Sequence, residues 1–158
     1  MDYDALAGPY AAHRSADAVV VEALRTAAAV GPETRVVEVG CGTGDYIAAL
    51  QAATGCEGCG VDPSQGMLAV ARERYQGVAF APGRAERLPL PGAAADLVFS
   101  VDVVHHLADV HAACAEAFRV LAPGGLACTV TEDEAAIRPG LGEKAMSRVA
   151  VWARPLTG

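Results

Sequence analysis

Three groups of residues in this chain have types and spacing suited to chemistry. In Val36-Val37-Glu38-Val39-Gly40-Cys41-Gly42-Thr43-Gly44-Asp45-Tyr46, a β-branched stretch runs straight into three alternating glycines. Glycines there let the backbone turn sharply and pass close to a ligand with no side chain in between. Asp62 stands 22 residues after Gly40, at the end of the next apolar stretch, where a carboxylate can accept hydrogen bonds from a ribose diol. His105 and His106 follow a later apolar run, with Asp102 before them; imidazoles titrate near neutral pH and suit a general base. The glycine turn and Asp62 together indicate an adenosine-containing ligand.

The charge of the turn narrows that ligand. A dinucleotide site wants Gly-x-Gly-x-x-Gly, and here Asp45 occupies the place of the last glycine. A pyrophosphate at a helix N-terminus would be repelled by that carboxylate, whereas a cation would not. S-adenosylmethionine carries a sulfonium and an ammonium but no phosphate, so it suits a site rimmed by Glu38, Asp45 and Asp62 better than NAD does.

Alternating elements must position these residues. Val19, Val20, Ala23, Leu24 and Ala27 recur at helical spacing after Ser15 and Asp17, two capping residues, and Gly31-Pro32 ends that helix. Strands are predicted at 35–39, 57–61, 78–81, 96–101 and 126–131, and helices at 46–54, 64–76 and 111–121; the segment 82–95 reads as a loop. Strict alternation predicts an α/β fold, a doubly wound parallel sheet with crossovers on both faces. In such sheets ligands bind at the carboxyl ends of the strands, where all three groups lie.

Of 158 residues, 34 are alanine, so the 53% hydrophobic content overstates the core, yet enough larger side chains remain for one domain. A net charge of −7, with no cluster of Lys or Arg, argues against nucleic acid as a partner. The apolar runs are too short for a membrane span, and the acidic start Met1-Asp2-Tyr3-Asp4 does not resemble a signal peptide, which points to the cytoplasm. Five cysteines form no disulfide framework. Cys56-x-x-Cys59 has no second pair at ligand spacing, so its thiols read as small buried hydrophobes and no metal site is expected.

Residues 36–46 resemble the glycine-rich signature of class I S-adenosylmethionine-dependent methyltransferases. GVDPSQGMLAVAR (60–72) resembles the family's acidic ribose loop and following helix, GRAERLPLP (83–91) its adenine loop, ADLVFSVDVVHHLAD (96–109) its fourth strand and FRVLAPGG (118–125) the turn before its fifth. YDALAGPYAAHR (3–14) is similar to the N-terminal segment that folds over the cofactor in small-molecule members. The resemblance covers about residues 1–132 and implies a Rossmann-like sheet of strand order 3-2-1-4-5. It also implies methyl transfer to a small-molecule acceptor, a non-catalytic cofactor-binding subunit being the other reading. Carried over, Gly40, Gly42 and Gly44 pass the methionine part of the cofactor, and Glu38 orients that loop or reaches the amino group. Asp62 holds the ribose, with Pro63, Ser64 and Met67 around the adenine, Ala85 and Glu86 at its edge, and Ser100 or Val101 under the methionyl chain. His106 or His105 would be the base, with Asp102 and His13 behind them, and Tyr10 would wall a pocket.

Two departures stand out. Arg84 occupies a position where relatives commonly have Asp, and a guanidinium accepts no hydrogen bond. On one reading the Ala85 amide and Glu86 suffice for the adenine edge or affinity is reduced; on the other, Arg84 points to solvent and pairs with an acidic neighbour. The family usually continues with a helix, a sixth strand and an antiparallel seventh, but only 26 residues follow Glu132. Leu141, Ala145, Met146, Val149 and Trp152 are spaced for one amphipathic helix, so residues 133–158 read as a helical tail, most or all of strands 6 and 7 as missing, and the fifth strand as an open edge where a homodimer could form.

Overall fold

The computed structural model describes residues 4, 7–8, 11–12, 14–132 and 148–153, with Glu132 and residues 148–153 described by their backbone. Five parallel strands, β1 (Arg35–Val39), β2 (Glu57–Asp62), β3 (Ala79–Pro82), β4 (Ala95–Val101) and β5 (Leu121–Glu132), form one sheet with β6 (Arg148–Ala153). Its order is β3-β2-β1-β4-β5-β6, which contains the expected 3-2-1-4-5. The helices are α1 (Ala18–Ala27), α2 (Asp45–Thr54), α3 (Gln65–Arg74) and α4 (Val110–Val120), with a 3-10 turn at Val104–His106.

A parallel sheet buries both faces, and the strand sequences show it. In β4, Leu97, Phe99 and Val101 enter the core under α1 and α2, while Val98 joins Val37, Val39, Val61 and Val120 on the other face. Asp17 caps α1, its carboxylate accepting from the Val19 N–H at 2.8 Å, and Ser64 caps α3 by accepting from the Met67 N–H at 3.1 Å. A cap contributes about 1 kcal/mol, whereas burying a side chain such as Ile47 or Leu50 (each 0% exposed) contributes roughly 1.5–3 kcal/mol. Packing therefore holds α2 against the sheet, and its capping only sets where it starts.

The tail corrects the sequence reading. Val149 and Trp152, read there as one face of a helix, lie on β6, which runs antiparallel to β5 from Ala127↔Ala153 to Glu132↔Arg148. Fifteen residues, 133–147, separate β5 from this antiparallel partner. The outer side of β5 is thus paired, which removes the ground for a homodimer at that edge. Leu141, Ala145 and Met146 lie outside the described residues, as do Tyr3, Tyr10 and His13. Among the described residues no helix is long and apolar enough to cross a membrane.

Candidate functional site

The glycine turn leaves β1 with Gly40 at φ +72°, Gly42 at +54° and Gly44 at +81°, all in the left-handed region. The N–H groups of Gly40 and Cys41 both donate to the Val61 carbonyl, at 2.7 and 3.1 Å, which pins the turn over the end of β2. A Cβ on Gly40 would stand 2.5 Å from Val103 Cγ2, so the turn also fits closely against the segment after β4. Cys41 lies within it, but burial pushes its thiol far up and it is no nucleophile.

Gly44 is the N-cap of α2 and has no side chain to satisfy the first-turn amides. Glu38, from the middle of β1, does so instead: its Oε2 accepts from the Ile47 N–H at 2.9 Å. The side chain is 2% exposed. Burial, with Asp45 and Asp62 nearby, holds its carboxyl well above the usual range against the Ile47 hydrogen bond. For a carboxyl raised in the folded state, the stabilising contribution is complete below its ordinary value of 4.5 and is lost as pH rises through the raised value. Glu38→Gln keeps an acceptor for Ile47 and cannot ionise. In thermal denaturation of the ligand-free protein the variant should match the parent near pH 4 and gain a growing margin towards pH 8. A margin independent of pH would mean that Glu38 ionises freely.

Asp62, 8% exposed at the end of β2, accepts from the Gly42 N–H through Oδ2 at 2.8 Å and from the Ser64 N–H through Oδ1 at 2.9 Å. One carboxylate thereby joins the glycine turn to the β2–α3 turn. Burial raises its pKa and the two amides oppose that. Asp4, from the N-terminal segment, accepts from Ser64 Oγ at 2.5 Å and from the Gly66 N–H at 2.8 Å, just outside it. Asp45, read from sequence as a charge on the rim, is held by the Thr43 hydroxyl at 2.6 Å, the Tyr75 hydroxyl at 2.7 Å and Arg74 at 3.1 Å. Arg74 offsets its charge.

A cavity of about 950 Å³ lies over the carboxyl ends of the strands. Glu38, Gly40, Gly42, Asp62, Pro63, Met67, Ala85 and Glu86 line it, and so do His105 and His106. Two expected residues do not. Gly44 packs beneath the turn, where an added Cβ would stand 2.6 Å from Phe80 Cζ. Ser100 lies within the sheet, its hydroxyl donating to Thr129 Oγ1 at 3.0 Å, and the next residue, Val101, lines the cavity instead. Glu86 lines it but spends its carboxylate on protein: Oε1 accepts from the N–H groups of Ala108 and Asp109 at 3.1 and 3.4 Å, and Oε2 is 3.6 Å from Arg84 Nε. Arg84 is 65% exposed, the solvent-facing alternative of the two left open.

The imidazoles of His105 and His106 lie with centroids 4.0 Å apart and planes tilted by 48°. Burial and the neighbouring His105 push His106 below its ordinary value, so its ring is neutral at pH 7. Asp102 holds φ +57°, an uncommon conformation for a residue with a side chain, and ion-pairs with Arg14 at 3.5 Å. Arg14 and Thr131 also line the cavity and were missed from sequence. Thr131 had a signal, its place at the carboxyl end of the fifth strand; Arg14 had one too, as the end of the segment 3–14 read as folding over the cofactor, but was not singled out.

Residues 37–129 match the family described as "Methyltransferase domain". Malonyl-[acyl-carrier protein] O-methyltransferase of Serratia marcescens is 38% identical over 120 residues, 76% of this chain and 47% of that protein. Demethylmenaquinone methyltransferase of Chlorobaculum tepidum is 35% identical over 95 residues, 60% of this chain and 39% of its own length. A solved structure of geranyl diphosphate methyltransferase with GPP and sinefungin superposes with a TM-score of 0.65 at 26% identity, covering 72% of this chain and 45% of that one. This chain therefore spans less than half the length of each of these three relatives. With the glycine turn, the acidic end of β2 and the 3-2-1-4-5 sheet in place, it belongs to the class I S-adenosylmethionine-dependent methyltransferase family.

Proposed function

We propose that this domain binds S-adenosylmethionine and directs its methyl group to a small-molecule acceptor by in-line displacement. The observation that carries this reading is one cavity lined by Asp62, the glycine turn, His105 and His106. The residues fit the cofactor. Each oxygen of Asp62 accepts one backbone N–H, which leaves lone pairs for ribose hydroxyls. Gly40 and Gly42 offer bare backbone to the methionine part, Pro63, Met67 and Ala85 surround the adenine, and Glu38 attracts the amino group. Sinefungin, an analogue of this cofactor, in a relative of the same fold supports the choice.

When bound, S-adenosylmethionine supplies a methyl group already activated by its sulfonium. Much of what the chain adds is alignment, since reaction needs donor carbon and acceptor within about 3–3.5 Å. His106, neutral at pH 7, takes the acceptor's proton, and His105 supports it. Residues 1–132 are read as the cofactor-binding unit, acting in the cytoplasm. The relatives act on malonyl-acyl-carrier protein and on demethylmenaquinone, which favours a metabolite over nucleic acid, as does the net charge of −7.

Calorimetry with S-adenosylmethionine, S-adenosylhomocysteine and NAD tests the cofactor; the first two should bind and NAD should not. Transfer of labelled methyl to a panel of carboxylates, phenols, amines and thiols tests the reaction. There His106→Gln should lower kcat by about 10²-fold or more, the usual contribution of a general base. Tight cofactor binding with no transfer to any acceptor would favour a non-catalytic subunit, and no binding of either sulfur compound would overturn the reading.

A further inference from the structure

We propose that Glu86 is a positioning residue that couples the adenine-side loop to the histidine turn, so that cofactor occupancy sets where His105 and His106 stand. The inference rests on the cofactor placement proposed above and goes beyond it, because Glu86 acts through other residues and does not touch the adenine.

The geometry points this way at three levels. Glu86 sits in the loop between β3 and β4, two residues after Arg84 and next to Ala85, on the wall of the cavity. Its Oε1 reaches across to the N–H groups of Ala108 and Asp109, which directly follow the 3-10 turn Val104–His106 and its closing residue Leu107. Its own backbone N–H, then the amides of Asp109 and Ala108 and the charge of Arg84, hold the Glu86 carboxyl below the usual range, so it is ionised at neutral pH and its hydrogen bonds are charge-assisted.

A second grip secures the same loop. The Leu88 N–H donates to Glu116 Oε2 at 2.8 Å and Arg119 donates to the Leu88 carbonyl at 3.3 Å, while Arg119 and Glu116 bond each other. The loop is therefore laced along α4, at Leu88 near its C-terminal end and at Glu86 just before its N-terminus. Asp109, one of the residues Glu86 holds, is itself the N-cap of α4, accepting from the Ala112 N–H at 3.0 Å. A ligand pressing on Ala85 thus moves a unit that includes the backbone just behind the imidazoles. Without Glu86, the loop would remain tied at Leu88 and the histidine turn would lose its link to the adenine side.

The probe is S-adenosylhomocysteine, which binds without reacting. In the wild-type protein it should slow amide exchange at Ala108 and Asp109 by about tenfold and shift the ring NMR signals of His105 and His106. Glu86→Ala should bind it within about threefold of wild type by calorimetry and lose the ring shift, while Glu86→Gln, which keeps an acceptor oxygen, should retain the shift. A residue that only stabilises the fold would lower the melting temperature of Glu86→Ala and leave the shift intact, which would overturn the proposal. A fall in affinity as large as that of Asp62→Ala would also overturn it, because Glu86 would then be a direct ligand. Should Glu86→Ala fail to fold, the wild-type exchange decides, and no slowing at Ala108 and Asp109 on binding refutes the coupling. Failure of wild type to bind the probe at all would overturn the cofactor assignment, and the coupling with it.

Discussion

Asp62→Ala should weaken binding of S-adenosylhomocysteine by roughly 100-fold or more. Two hydrogen bonds from a ribose diol to an ionised carboxylate are worth about 1.5–3 kcal/mol each, and 3 kcal/mol is already about two decades in Kd. The substitution also removes the shared acceptor of the Gly42 and Ser64 amides, so the glycine turn and the β2–α3 turn lose their common anchor. Asparagine should not rescue. It offers one oxygen and turns an NH₂ group towards the other amide, donor against donor. Burial raises the Asp62 pKa, so wild-type affinity should fall as pH drops through that raised value, and the variant should show no such dependence. Calorimetry from pH 5 to 8 measures both, with a melting curve to show that the variant is folded. Unchanged affinity would mean that the ribose is held elsewhere.

Gly44→Ala should destabilise the protein by about 3 kcal/mol, and a second glycine shows why. Gly44 and Gly124 share a φ of +81°. A side chain in that region costs roughly 1–2 kcal/mol at either position. The surroundings differ. A Cβ at Gly44 would stand 2.6 and 2.7 Å from Phe80 ring atoms and 3.3 Å from Ala71 Cβ, whereas at Gly124 it meets nothing within 4 Å among the described residues. Overpacking adds about 1–3 kcal/mol at Gly44 alone. Urea denaturation should therefore place Gly124→Ala about 1 kcal/mol below wild type and Gly44→Ala well below that, with part of the loss recovered by Phe80→Leu in the same chain. Equal losses at the two positions would show that backbone strain alone is at work.

The same glycine marks how far the sequence could be read. Its presence was visible and so was the turn, but alternating glycines do not say which of them faces the ligand and which faces the core. Gly40 and Gly42 line the cavity and Gly44 packs on Phe80, a distinction made only by β3 lying against the turn. The five parallel strands were legible to within a residue or two at β1 to β4, because each is a short apolar run bounded by turn residues; β5 starts five residues earlier than expected. Glu86 was read as lying at the adenine edge; it lines the cavity, but its carboxylate is bonded to Ala108 and Asp109, positions 22 and 23 residues away. No local pattern encodes such a bond. The tail was misread for a related reason: Val149 and Trp152 fit a helical repeat, but an unpaired edge of β5 alongside them offered a full ladder of hydrogen bonds.

That ladder has a consequence for how the molecule is made. Synthesis runs from the N-terminus, so Ala127 to Glu132 of β5 leave the ribosome before their outer partner exists. Until Ala153 has emerged, a nascent chain carries an uncovered strand flanked by a nearly finished core, the kind of surface that recruits other chains. β6 therefore guards that part of β5 against aggregation, and losses within 148–153 would be felt first in soluble yield.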